Sequence, residues 1–294
     1  MTTKERAIGV VGLGAMGLGM ATTLASNGFA VKGFDLSDGR RKLADEGGVA
    51  PCETLADVFV DTDFIVFSLP TAKDVAAVVE ANLDALKAAD DRVVIIDTST
   101  SEPDVSRDLA AGLNALGHGF LDAPVSGGPA GAASGMLTMM IGGSDADVTR
   151  AKMVIDAMAA KALHVGPSGA GNVAKLVNNL LAAAHMVTTG EGLKLALSAG
   201  LEPEQALKVL NAASGKSMIS EVHFPTWVMN DRFDSGFTMG LMRKDVRLAS
   251  ELAARTGAAL PLSAAVARLW AESPLDNADD FTRMGAFRAT ANDN

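Results

Sequence analysis

Three stretches of the chain hold residue types at spacings that suit chemistry. GLGAMG, residues 12–17, has the G-x-G-x-x-G spacing. In such a turn Gly12 permits the tight bend, Gly14 lets backbone approach a pyrophosphate, and Gly17 lets helix and strand pack closely. Asp35 closes the next strand pattern, AVKGFD, about twenty residues on, where a carboxylate accepts hydrogen bonds from an adenosine ribose and repels a 2′-phosphate. That favours NAD over NADP, a preference tempered by Arg40 and Arg41 nearby. DAPVSGGPAGAASG, residues 122–135, is too rich in small residues to read as core packing. It offers the Ser126 hydroxyl and the bare backbone of Gly127 and Gly128 to an anion such as a carboxylate. GAGNVAKLVNN, residues 169–179, sets Lys175 and Asn179 one helical turn apart on a shared face.

Hydride transfer to or from a dinucleotide needs a proton donor or acceptor at the substrate oxygen. The chain has no tyrosine, one cysteine and four dispersed histidines (118, 164, 185, 223), and lacks H-E-x-x-H, G-x-S-x-G and P-loop patterns. No metal site is expected, and the proton carrier is left as a lysine or a histidine. His118 and His164 lie beside strands and read as structural. His185 sits about 80° round the helix and about 15 Å along it from Lys175. Position therefore favours the lysine.

These residues need elements to hold them. Residues 7–12 form a short apolar strand, and a helical pattern from Met16 to Ser26 ends at Asn27 and Gly28. Strand patterns follow at 63–70, 92–100, 119–126, 137–143 and 162–166, with helical segments at 73–88, 102–116 and 144–159 between most of them. Apolar strands alternating with helices predict a parallel sheet covered on both faces. Ligands of such sheets bind beyond the strands' carboxyl ends, where Leu69, Pro70, Thr98, Ser99 and Thr100 fall. After Pro167 the strand signal stops. Ser168 is positioned as an N-cap, and a helix of about 30 residues, roughly 45 Å long, reaches Gly200. Further helices are predicted over 203–213, 217–229, 238–256, 261–273 and 278–291. The expected fold is thus an α/β Rossmann-type dinucleotide-binding domain, 1–166, followed by an all-α domain, 167–294, joined by a long interdomain helix.

On that helix Val173, Val177, Leu180, Leu181, Ala184 and Val187 take the side opposite Lys175 and Asn179, so the polar pair faces water or a cleft. Gly169 and Gly171 in the first turn favour the cleft, because they allow something to approach closely. Lys244, flanked by Leu241 and Leu248, reads from its neighbours alone as a side chain reaching solvent.

Of 294 residues, 48% are hydrophobic and 20% charged, and the net charge is −10. This is the balance of an ordinary globular protein, and the charge repels a phosphate backbone. Nucleic acid is not expected as a partner. Cys52 is the single cysteine, which rules out an intrachain disulfide and suits a reducing, cytoplasmic setting. Lys4 and Arg6 ahead of residues 8–24 mimic a secretory signal, but the glycines at 9, 12, 14, 17 and 19 spoil its apolar run. No stretch is long and apolar enough to span a bilayer, so no membrane association is expected.

Together, GLGAMG, DAPVSGGPAGAASG, GAGNVAKLVNN and LMRKDVRLA (241–249), in this order and over nearly the whole chain, resemble the β-hydroxyacid dehydrogenase family, whose members include 3-hydroxyisobutyrate and L-threonate dehydrogenases and tartronate semialdehyde reductases. The resemblance implies that Lys175 is the catalytic acid/base and that Ser126, Gly127, Gly128 and Asn179 hold a small anionic hydroxy acid. It implies cofactor contacts from Gly12, Leu13, Gly14, Ala15, Met16 and Gly17, from Asp35, from Leu69, Pro70 and Thr100, and from Lys244 folding over the nucleotide. Asp74 stands where some members carry an asparagine near the cofactor. The activity implied is NAD-dependent oxidation of a 3-hydroxyisobutyrate- or threonate-like acid. The alternatives are an NADPH-dependent semialdehyde reductase on the same scaffold and a non-catalytic dinucleotide-binding protein. By the same analogy a homodimer or homotetramer is expected.

Overall fold

The computed structural model describes residues 7–89 and 91–287. The expected basic start at Lys4 and Arg6, and the end of the expected helix over 278–291, lie outside those residues. The chain forms two compact units that divide between Lys175 and Leu176, whereas the expected boundary, after residue 166, is where the last strand ends.

The first unit is α/β. Its elements are β1 Ala7–Val11, α1 Ala15–Ser26, β2 Val31–Phe34, α2 Asp38–Glu46, β3 Ala50–Pro51, β4 Thr62–Phe67, α3 Ala72–Ala81, α4 Leu83–Lys87, β5 Val94–Asp97, α5 Pro103–Ala115, β6 Gly119–Asp122, β7 Val125–Ser126, α6 Gly128–Ser134, β8 Leu137–Gly142, α7 Asp145–Met158 and β9 Ala159–Gly166. The strand order is β3-β2-β1-β4-β5-β6-β8-β7, with β9 on β8. From β3 to β6 every pair is parallel, the doubly wound order of a nucleotide-binding sheet. Alternate residues of each strand enter opposite cores: Ile65, Phe67, Ile95 and Phe120 on one face, Val66, Val94, Ile96 and Leu121 on the other. Burial on both faces is why these strands read as continuous apolar runs.

The sequence pattern predicts a parallel sheet throughout, and the last strands depart from it. β8 runs antiparallel to β6 and β7, and β9 runs parallel to β8. A parallel crossover needs a dozen or more residues, usually a full helix, to carry the chain back along the sheet. Between β7 and β8 the chain has only residues 127–136, with the seven-residue α6 among them, about 10 Å of helix, so it returns at the same end. The small residues of this segment also pack, contrary to expectation. Ala132 is fully buried, a Cβ on Gly19 would lie 3.0 Å from that of Ala132, and Thr23 Oγ1 donates to the Ala132 carbonyl at 2.8 Å. Small side chains here bring α1 and α6 into close contact.

One helix, α8 Ala170–Ser198, begins in the first unit and continues into the second. The second unit adds α9 Pro203–Ala212, a π-helix Ile219–Val228, α10 Met239–Thr256, α11 Pro261–Glu272 and a 3₁₀ turn Phe281–Gly285. The π-helix replaces the α-helix expected over 217–229. Pro225 lies inside it, and a widened turn accommodates a residue that cannot donate to the ladder. Over its described part, the expected last helix is the 3₁₀ turn. The core of this unit gathers Ala183, Met186, Leu193, Phe224, Met239, Val246, Trp270 and Phe281, and Trp270 donates its indole N–H to the Ala183 carbonyl at 3.2 Å.

Candidate active site

The glycine turn closes as its spacing requires. Gly12 has φ +88°, and a Cβ there would meet the Ser68 carbonyl at 2.3 Å. One on Gly17 would meet the Gly12 carbonyl at 1.8 Å. Gly14 differs. Nothing lies within 4 Å of its Cβ position, and it starts α1 with no side-chain cap and no acid in the first turn. An open helix amino terminus of this kind fits the pyrophosphate of a dinucleotide. Ala15 is exposed, Met16 is half-buried and Leu13 is fully buried, with its N–H donated to Asp35 Oδ2 at 2.7 Å. Asp35 Oδ1 accepts from Ser37 N at 2.9 Å, so the carboxylate is fixed against the turn. Arg41 is engaged by Asp38 and the Asp35 carbonyl and stacks over Phe34, while Arg40 is exposed.

Neighbouring strands bring the next group together. Leu69 N donates to Ser99 Oγ at 3.0 Å, and Ser99 N to Asp97 Oδ1 at 3.0 Å. Pro70 is exposed and Thr100 half-buried at the carboxyl ends of β4 and β5. Asp74 acts locally, forming with Thr71 a capping box at the start of α3 in which each satisfies the other's backbone N–H.

The start of α8 is built onto the carboxyl end of β6. Asp122, with no exposed surface, accepts from Gly169 N at 2.7 Å and from Asn172 N at 3.0 Å. It takes the capping place that the sequence assigns to Ser168. Burial pushes the Asp122 carboxyl above the usual carboxylate range, opposed by the surrounding backbone amides of Gly169, Asn172 and Gly171. Asn172, also fully buried, accepts from Ser101 N at 2.9 Å and donates to Ser106 Oγ at 3.0 Å. One turn further, Lys175 Nζ donates to the Val125 carbonyl at 2.8 Å, next to Ser126, Gly127 and Gly128. The two glycines have φ +129° and +63°, a left-handed region open to few other residues. Lys175 is 7% exposed.

Asn179, one helical turn beyond, belongs to the second unit and is 5% exposed. Its amide donates to Asp245 Oδ2 at 2.6 Å and accepts from Asn178 at 3.0 Å. Lys244 is one-fifth exposed, its ammonium 3.5 Å from Asp245 Oδ1, so it does not run out to solvent as its neighbours suggest. The apolar stripe expected on α8 is also displaced: Val177 and Leu181 are half-exposed, while Asn172, Lys175, Leu176, Asn179, Ala183 and Met186 are buried. The chemical pair lies on the buried face because each member has a hydrogen-bond partner there.

His118 and His164 hold structural contacts. His118 Nδ1 accepts from Val93 N at 3.1 Å, which leaves Nε2–H to donate to the Leu86 carbonyl at 2.8 Å. His164 faces Asp145 at 3.2 Å and two carbonyls. Among the described residues no group of three or more His, Cys, Asp or Glu could hold a metal ion, and no helix is long and apolar enough to cross a membrane.

Sequence reasoning missed Asp122, Asn172 and Asp245. Two of them left a trace. Asp122 is an acid inside the apolar run GFLDAPV, and Asp245 falls on the buried stripe of α10 with Met242, Val246 and Ala249. Asn172 left none.

Comparison with known proteins gives a consistent result. Residues 7–166 match the family model described as the NAD binding domain of 6-phosphogluconate dehydrogenase. Residues 169–286 match the one described as NAD-binding of NADP-dependent 3-hydroxyisobutyrate dehydrogenase. The chain is 35% identical to the 2-(hydroxymethyl)glutarate dehydrogenase of Eubacterium barkeri, covering 91% of this chain and 89% of the relative. It is 34% identical to a probable 3-hydroxyisobutyrate dehydrogenase of Mycobacterium tuberculosis, covering 94% and 96%. A solved structure of Mycobacterium tuberculosis 3-hydroxyisobutyrate dehydrogenase with L-serine superposes with a TM-score of 0.88 at 34% identity, over 96% of this chain and 98% of that one.

Proposed function

The chain belongs to the β-hydroxyacid dehydrogenase family and is an NAD(P)-dependent oxidoreductase, and from that premise we propose that it oxidises a small 3-hydroxy carboxylic acid with NAD, using Lys175 as general acid/base. The observation that carries this reading is the buried Lys175 amine, held at the Val125 carbonyl beside Ser126, Gly127 and Gly128. The relatives' names point to a common substrate frame: 3-hydroxyisobutyrate and 2-(hydroxymethyl)glutarate both carry a primary alcohol on the carbon next to the one bearing a carboxylate. Ser126 and the backbone of Gly127 and Gly128 suit that carboxylate, with Asn179 as a further substrate ligand.

A bound nicotinamide dinucleotide supplies the hydride acceptor. The turn from Gly12 to Gly17 would hold its pyrophosphate and Asp35 its ribose, with Leu69, Pro70, Thr100 and Lys244 as further contacts. Lys175 then takes the proton from the substrate hydroxyl in oxidation and returns it to the carbonyl oxygen in reduction. Asp35 favours NAD. The exposed Arg40 and the NADP-dependent relatives of the second half keep an NADPH-dependent semialdehyde reductase as the second reading. We further read the protein as cytoplasmic and as a homodimer or homotetramer, the latter in keeping with exposed apolar residues such as Leu195, Val209 and Leu262.

Initial rates with NAD⁺ and then NADP⁺, against 3-hydroxyisobutyrate, 2-(hydroxymethyl)glutarate, threonate, glycerate and 3-hydroxypropionate, test the reading. NAD⁺-dependent turnover of one acid is expected. Preference for NADP⁺ would refute the role given to Asp35, and silence across the panel with nucleotide bound would favour the non-catalytic alternative.

A further inference from the structure

The first turn of α8 has little freedom to move. Asp122 grips it through two backbone amides, at Gly169 and Asn172. Asn172 grips in turn the N–H of Ser101 and the hydroxyl of Ser106. Gly171 fills the space between: a Cβ there would fall 2.2 Å from the Asp122 carbonyl and 2.5 Å from that of Met140. Both gripping side chains are fully buried, which places these bonds out of competition with water.

Lys175 stands directly above this turn, three residues after Asn172 and four after Gly171, the spacings that stack side chains on one helix face. Helix side chains reach about 5–6 Å from the axis, so a rotation of about 10° moves a side-chain tip by about 1 Å. A displacement of that size costs on the order of 10²-fold in rate. The same bonds reach the other half of the chemistry. Ser101 directly follows Ser99 and Thr100, the loop tied to Leu69.

We propose that Asp122 and Asn172 are positioning residues: they form a two-point clamp that sets the rotation and height of α8, and so the place of the Lys175 amine relative to the Ser99–Ser101 loop. The proposal rests on Lys175 as the acid/base. Asp122 acts on the helix backbone and Asn172 on the loop, and neither touches the reacting atoms.

The test is a double-mutant cycle on the full-length protein. Asp122→Asn keeps the size of the side chain but turns an amide NH₂ toward one of the two N–H donors. It is expected to lower kcat about 10²-fold and to leave the nucleotide KM within about threefold of wild type. Combined with Lys175→Ala, it is expected to add no further loss, because a clamp that acts through the lysine has nothing left to position. Asn172→Ala, which keeps the backbone bond to Asp122, is expected to lower kcat about tenfold with the same non-additivity, and it carries the test if Asp122→Asn does not fold. Losses that multiply, or a folded variant with wild-type kcat, would overturn the clamp while leaving the lysine's role intact. A fully active Lys175→Ala would overturn the acid/base reading and the clamp with it.

Discussion

Two buried carboxylates hold polar groups of α8, one in each unit, and they hold different things. Asp122 takes backbone amides of the first turn, so it fixes the helix itself. Asp245 takes the Asn179 side-chain amide, so it fixes one rotamer. The surroundings differ in the same way. The beginning of α8 in the α/β unit is held by a relay of hydrogen bonds through Asn172, Ser101 and Ser106. In the helical unit, Ala183, Met186 and Leu193 of the same helix are held by apolar packing against residues such as Phe224 and Trp270. Hydrogen bonds define direction and apolar packing does not. The turn that leads to Lys175 is therefore held mainly by directional bonds, whereas the rest of the helix combines apolar area with single hydrogen bonds at Asn179 and Ala183.

Removing the area should show this contrast most strongly. Trp270 has no exposed surface, and Trp270→Ala should destabilise the protein by about 4 kcal/mol, read by urea denaturation followed by circular dichroism. A change below about 1 kcal/mol would mean that packing does not carry that unit. Asp245→Asn addresses the side-chain grip. It should cost about 1 kcal/mol of stability and raise the KM for the hydroxy acid while kcat changes less, in contrast to the kcat effect expected at Asp122. Equal effects on kcat from the two carboxylates would erase the distinction between them.

The smallest effects should come from pH. Burial raises the Asp122 carboxyl pKa and lowers the His223 imidazole pKa, so the two groups bias stability in opposite directions. The contribution of Asp122 is fully present below the ordinary aspartate value of about 3.9 and is lost as pH rises through its raised folded value. The contribution of His223 is present above the ordinary histidine value of about 6.5 and is lost as pH falls through its lowered folded value. Tm measured from about pH 3 to about pH 8 should therefore lose opposite slopes in Asp122→Asn and His223→Gln. Slopes of the same sign would contradict the assignment.

The α/β unit was the more legible of the two because its determinants are local. Gly12, Gly14 and Gly17 act within a few residues of one another, and strands buried on both faces announce themselves as apolar runs. The turning back of β8 was hidden, since it depends on how short α6 is rather than on its composition. In the helical unit the helical pattern over 217–229 was visible, but the widened π-turn that accommodates Pro225 was not, because hydrophobic spacing alone does not tell a π-helix from an α-helix. At the candidate site, the shared helix face of Lys175 and Asn179 could be read from their spacing, but their burial could not. The partners that make it tolerable, Val125 and Asp245, lie far away in sequence and meet them only after folding.

The most direct test of the account is kcat of Lys175→Ala with NAD⁺ and saturating hydroxy acid, measured beside nucleotide affinity from NADH fluorescence. The account predicts a fall in kcat of about 10³-fold with nucleotide affinity unchanged within a few-fold. A kcat near wild type, or a loss explained entirely by weaker nucleotide binding, would contradict the assignment of Lys175 as the residue that moves the proton.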